Sequence, residues 1–168
     1  MKIFTAILFL VIVGCTTTGG KPDATKMAEG YYDRGISHLQ AKDYEKALVE
    51  FQRSINANPK NKMAHYATGM VYDMMGRYAD AEKYYKEAID IDSDFADAHN
   101  ALGTVYMKQK KWKEAEAILL ECLQLDHCDL SSRTELTKIY QRTGRADDGE
   151  ALLHSSLKAI AGEAWDIL

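Results

Sequence analysis

The stretch "HYATGMVYDMMGRYADAEKYY", residues 65–85, decides how this chain is read. It carries two apolar stripes at helical spacing with a short polar turn between them; Tyr78, Ala81, Tyr84, Tyr85 and Ile89 make the second stripe. Moved by 34 residues in either direction, the pattern returns as "YYDRGISHLQAKDYEKALVEF" (31–51) and "HNALGTVYMKQKKWKEAEAIL" (99–119). Gly35, Gly69 and Gly103 fall in register. So do the rings of Tyr31, His65 and His99, and those of His38, Tyr72 and Tyr106. An aromatic opens each second stripe at Tyr44, Tyr78 and Trp112, and an alanine follows at Ala47, Ala81 and Ala115. Bulky Phe51, Tyr85 and Leu119 and small Ser54, Ala88 and Cys122 complete the unit, and Pro59 closes the first. One helix pair cannot bury both of its apolar faces, so neighbouring pairs must stack.

These residues resemble the tetratricopeptide repeat, whose 34-residue pattern is W-x2-L-G-x2-Y, then A-x3-F, then P. A fourth, degenerate unit holds Leu136, Thr137, Tyr140, Gly144, Gly149 and Leu153 at the signature places. Thr137 replaces its glycine, which puts close packing at that helix crossing in doubt. The resemblance implies an all-α, right-handed solenoid of stacked antiparallel helix pairs, about three units plus the degenerate fourth. Helices are expected near 27–41, 44–57, 62–75, 78–91, 96–109, 112–125, 130–143 and 146–159, within a repeat domain spanning 27–163. Asp43 and Asp80 suit the amide-rich starts of second helices. Residues 164–168 read as a tail, with Trp165 covering the last apolar edge.

The amino terminus reads differently. Ile3 to Val13 is apolar except for Thr5, too short to cross a bilayer, and follows Lys2. A positive end, an apolar block and a small-residue exit describe a secretory signal peptide. Its exit, Ile12-Val13-Gly14-Cys15, resembles the bacterial lipobox. That resemblance implies a signal of residues 1–14, diacylglycerol on the Cys15 thiol, and three acyl chains on the mature protein. Two or more chains anchor stably. Thr16 after the cysteine favours the outer membrane under the enteric sorting rule, and residues 15–26 read as the lipidated cysteine and a polar tether.

Composition narrows the function classes. The chain has 168 residues, a formal net charge of −4 and only 2 prolines, which favours an all-helical domain with no electrostatic reason to bind nucleic acid. The densest basic run, Lys108 to Lys113, is interrupted by Trp112 and does not suggest a membrane patch. No phosphate-binding glycine loop, zinc-protease helix or nucleophile elbow is present. No catalytic residue, metal or cofactor is expected. His65 and His99 fill the ring slot of the repeat, and as metal ligands they would need a third partner that is not obvious. Cys122 occupies a small, buried position, and Cys128 follows beside His127. An envelope compartment permits a disulfide, but the packed helix face and short intervening loop argue against one.

The remaining candidate is a binding surface. In this repeat the first helix of each pair lines the concave face. The resemblance places Tyr32, Ile36 and Leu39 there in unit one, and Met63, Tyr66, Met70, Asp73 and Met74 in unit two. Asn100, Thr104 and Met107 follow in unit three, then Thr134, Lys138 and Gln141. Methionine and tyrosine suit adaptable apolar recognition of a helix or an extended segment. A clamp for chaperone tails would need cations and asparagine where Tyr32, Ile36, Asp97 and Ala101 stand, which excludes that partner class. The expected protein is a non-catalytic, lipid-anchored scaffold binding an envelope protein or peptide, or a second copy of itself. Loose resemblance to type IV pilus pilotins suggests secretin or pilus assembly. The alternative is an adaptor for cell-wall hydrolases or outer-membrane protein assembly, and a metal-binding or enzymatic role is the third reading.

Overall fold

A computed structural model describes residues 23–125 and 130–161. Eight helices fill the described residues: α1 (Ala24–Gln40), α2 (Tyr44–Ala57), α3 (Lys62–Met74), α4 (Tyr78–Ile91), α5 (Ala96–Lys108), α6 (Trp112–Cys122), α7 (Leu130–Arg142) and α8 (Ala146–Ala161). Each packs against the next in the chain. The backbones of the odd-numbered helices also approach one another, α1 to α3, α3 to α5 and α5 to α7, whereas those of the even-numbered helices stand further apart and are bridged by long side chains, as where the Tyr84 hydroxyl of α4 donates to Gln52 Oε1 of α2 at 3.4 Å. An inner layer in contact and an outer layer splayed apart curve the stack, so the odd helices line its concave side. This is the all-α solenoid of stacked pairs that the period implies.

The close approach within each pair comes from the periodic glycines. A Cβ on Gly35 would stand 2.4 Å from the Phe51 ring, one on Gly69 2.7 Å from Tyr85, and one on Gly103 2.6 Å from Leu119. The bulky residue of each second helix sits in the gap that its glycine leaves, and all three are buried. The fourth pair solves the problem the other way round. Thr137 fills the glycine place, and Gly149 stands where earlier units have alanine; a Cβ there would lie 3.3 Å from Thr137 Cγ2. The gap has moved to the opposite helix, and the crossing stays close.

Turns within pairs are also periodic. Backbone amides of Lys42 and Asp43 donate to Leu39 and His38 carbonyls at 2.9 Å, closing α1 in a Schellman motif. The same pair of bonds closes α3 through Gly76 and Arg77, and α5 through Lys110 and Lys111. The pivot must be left-handed, with φ of 60° at Lys42, 73° at Gly76, 61° at Lys110 and 76° at Gly144.

Five of the eight helices begin and end within one residue of expectation. Three differ. α1 starts at Ala24 because Asp23 Oδ1 accepts from the Thr25 amide at 3.0 Å and caps it, so Ala24 to Lys26 are helical. α8 runs on to Ala161, past residue 159. α6 stops at Cys122, three residues early. Cys122 is disulfide-bonded, contrary to the expectation that its packed position keeps it reduced. It is fully buried as the last residue of α6. Its sulfur accepts a hydrogen bond from buried Ser132 Oγ at 3.3 Å. Cys128, the signal segment, Cys15 and the 164–168 tail lie outside the described residues.

Asp43 sits at the start of α2 but its side chain does not cap the helix; it accepts from Lys46 at 3.1 Å instead. Asp80, in the first turn of α4, accepts from Arg77 Nε at 2.8 Å. No helix among the described residues is long and apolar enough to cross a membrane.

Candidate functional site: the inner groove

The inner helices carry the residues expected on the concave face, and packing sorts them into two groups. Tyr32, Ile36 and Leu39 are half-buried against the Phe51 and Val71 cluster. Tyr66 wedges between Tyr85 and Phe95, with ring centroids at 5.6 and 5.2 Å. Met70 and Met107 lean on the larger core around Tyr85, Leu102 and Leu119. Burial pushes the Tyr32 and Tyr66 phenols above their ordinary pKa, so both stay neutral at physiological pH. Each of these residues shows one face to the groove and gives the other to the core. Met63 and Met74 form the second group, 38% and 55% exposed. They are the most accessible apolar side chains of the groove.

Polar members are tied down. Asp73 accepts from Lys108 Nζ with both carboxylate oxygens, at 2.7 and 2.6 Å, bridging α3 to α5. Asn100 Nδ2 donates to Ser131 Oγ at 2.9 Å, linking α5 to α7. Its Oδ1 is buried without a hydrogen-bond partner among the described residues.

Towards the last pair, α5 and α7 enclose a pocket of about 470 Å³. Thr104, Met107, Lys138 and Gln141, four of the expected groove positions, line it. Sequence reading missed the rest of the wall: Lys108, Lys110, Trp112, Glu135 and Arg142. The Lys108–Lys113 run was the available signal. It became a wall only when the turn after α5 met Lys138 and Arg142 of the next unit. Lys138 pairs with Glu135 at 2.6 Å, while the exposed Lys110 and Arg142 heads make no ion pair among the described residues.

The two repeat histidines are structural in placement. His65 is buried, its Nε2 donating to the Pro59 carbonyl at 3.0 Å and its Nδ1 facing Glu87 Oε2 at 3.0 Å. His99 Nε2 donates to the Ser93 carbonyl at 2.8 Å, and its Nδ1 is buried without a partner among the described residues. Among the described residues no group of three or more His, Cys, Asp or Glu side chains is placed to hold a metal.

Two family models described as tetratricopeptide repeat match residues 32–94 and 74–127, together more than half of the chain. The chain belongs to the tetratricopeptide-repeat family. Solved tetratricopeptide structures share its architecture. MamA superposes with a TM-score of 0.73 at 17% identity, over 78% of this chain and 77% of that one. The first such domain of Spaghetti (RPAP3), bound to the HSP90 peptide SRMEEVD, gives 0.68 at 20% identity over 71% and 95%. The second domain of human RPAP3, in complex with the HSP70 peptide SGPTIEEVD, gives 0.65 at 28% identity over 69% and 97%. Curated relatives share shorter stretches. Protein bimA of Emericella nidulans is 34% identical over 64 residues, 38% of this chain and 8% of bimA. Superkiller protein 3 of Schizosaccharomyces pombe is 37% identical over 60 residues, 36% of this chain and 4% of its own. The chain therefore spans under a tenth of the length of either. An uncharacterized protein of Methanocaldococcus jannaschii is 34% identical over 58 residues, 34% of this chain and 67% of that protein.

Proposed function

We propose that this tetratricopeptide protein is a non-catalytic scaffold that holds a protein or peptide partner in its inner groove while tethered to a bacterial envelope membrane through Cys15. The observation that carries the binding half is the exposure of Met63 and Met74 beside half-buried Tyr32, Tyr66 and Met70 on the concave layer. A pliable apolar strip on a stiff helical frame suits a partner helix or extended segment. The solved domain at 28% identity is itself a peptide complex, which supports a peptide-sized partner. The tethering half rests on the Ile12-Val13-Gly14-Cys15 exit after a short apolar run. Outer-membrane attachment facing the periplasm follows from Thr16 in that reading, and assembly of a secretin or pilus machine is the process it serves.

Crosslinked affinity capture from native membranes tests both halves. The wild-type chain should retain a partner that Met63→Asp plus Met74→Asp releases, with helical content unchanged. Cys15→Ser should leave the chain in the soluble fraction with an altered processed size. Capture that survives the paired methionine change rules out the groove as the binding surface. Membrane partitioning that survives Cys15→Ser rules out the lipid anchor.

A further inference from the structure

We infer that the pocket between α5 and α7 is an anion-reading subsite of the groove, and that the partner segment lying there is an acidic peptide with an apolar side chain among its carboxylates. This rests on the groove being the partner-binding surface. The chain as a whole is acidic, at −4, yet this pocket gathers Lys108, Lys110, Lys138 and Arg142 against one lining carboxylate, Glu135. Two other concavities among the described residues have the opposite balance: the one between α4 and α6 sets Lys86 against Asp90, Glu114 and Glu121, and the one on α8 holds Asp147 and Glu150. Cationic lining distinguishes this pocket from those two.

The four cations have different tasks. Lys108 is committed to Asp73 and Lys138 to Glu135. Lys110 and Arg142 are exposed and uncommitted to any ion pair among the described residues. They come from different repeat units, and their positive potential is unanswered at the pocket rim. Incoming carboxylates would answer it without first breaking an existing pair, which is the arrangement that gives charge complementarity its effect on association rate and specificity. Trp112 and Met107 supply the half-buried apolar wall between these charges. A planar guanidinium at Arg142 reads a carboxylate in two-pronged fashion, and the Lys110 ammonium as a point charge. These cations do not stand at positions 32, 36, 97 and 101, where Tyr32, Ile36, Asp97 and Ala101 exclude a chaperone-tail clamp. The subsite thus reads side-chain carboxylates along a segment.

The groove then has a polarity. Its α1–α3 end offers apolar contact through Met63 and Met74, and its α5–α7 end offers cations. A bound segment runs with its apolar residues towards the first repeats and its acidic ones towards the last.

The test uses the full-length chain and two fluorescein-labelled peptides with blocked termini, Gly-Asp-Glu-Leu-Asp-Glu-Leu-Gly and its Asn/Gln counterpart, in fluorescence polarisation. The acidic peptide should bind at least about tenfold more tightly, and the preference should shrink as salt rises. Lys110→Glu plus Arg142→Glu should weaken it about tenfold or more with the circular dichroism spectrum unchanged. Lys42→Glu plus Lys60→Glu, equal in charge but outside the pocket, should not. Equal binding of the two peptides, no binding of the acidic one, or equal loss in both charge-reversed variants overturns the subsite. If the subsite fails while membrane capture still depends on Met63 and Met74, the groove reading stands and only its charge assignment falls.

Discussion

Gly69 lies so close to the Tyr85 ring that a single added methyl group would sit 2.7 Å from its Cδ1 and Cε1 atoms. Tyr85 is 2% exposed and packs under Tyr66, so the ring has no room to retreat. Gly69→Ala gains helix propensity but overpacks this crossing, and the balance should be a loss of about 1–3 kcal/mol. A urea midpoint unchanged or raised by the substitution contradicts the packing account.

The left-handed pivots point to an opposite effect. Units two and four use glycine there, while Lys42 and Lys110 adopt φ of 60° and 61°. A side chain in that conformation crowds its own carbonyl, at a cost of about 1–2 kcal/mol. Lys42 lies outside the groove pocket, so Lys42→Gly should raise stability by about 1 kcal/mol in urea unfolding after the entropy that glycine loses on folding. Peptide binding should not change.

Glu82 ties unit two to unit three. Its carboxylate accepts from Lys86 at 2.8 Å, from Lys111 at 3.0 Å and from the Tyr106 hydroxyl at 3.2 Å. Partial burial pushes its pKa up, but the hydrogen bonds from Lys86 and Lys111 outweigh that and hold it at about 2, below the ordinary 4.5. With the folded value depressed, the contribution is complete above about pH 4.5 and is lost as pH falls through about 2. Glu82→Gln should cost about 1 kcal/mol at neutral pH and flatten the acid limb of stability against pH. An acid limb identical to wild type would show that Glu82 does not couple the units.

Ser54 is buried, donates to the Ala28 carbonyl at 2.7 Å and accepts from Asn61 Nδ2 at 3.1 Å. It joins α1 to α2 and to the turn entering α3. Ser54→Ala should leave both partners wanting and cost about 1–3 kcal/mol, read as an earlier thermal transition. Equal stability would mean that water replaces the hydroxyl.

These interactions differ in how far they could be read beforehand. The glycine crossings were legible because the same volume problem recurs every 34 residues and glycine is its common answer. The swap of Thr137 and Gly149 was not, since the degenerate unit solves the same problem from the opposite helix. The Glu82–Lys111 bond recurs as Glu116 to Arg145 at 2.8 Å, but the first pair of units holds Leu48 in the corresponding acidic place, so no ladder shows in the sequence. The Cys122 disulfide was not legible, since its repeat position reads only as small and buried.

Period and volume determined the class: residues that repeat every 34 positions must form like units, and like units with two apolar faces must stack. Local chemistry also fixed most helix limits, since turns and caps act within a few residues. Tertiary structure decided which groove residues are shared with the core, as with Tyr66 between Tyr85 and Phe95, and which stay open, as with Met74. It also assembled the basic pocket, because Lys110 and Arg142 belong to different units and meet only when α5 and α7 lie side by side. Contacts across units depend on stacking geometry, which no single 34-residue window contains.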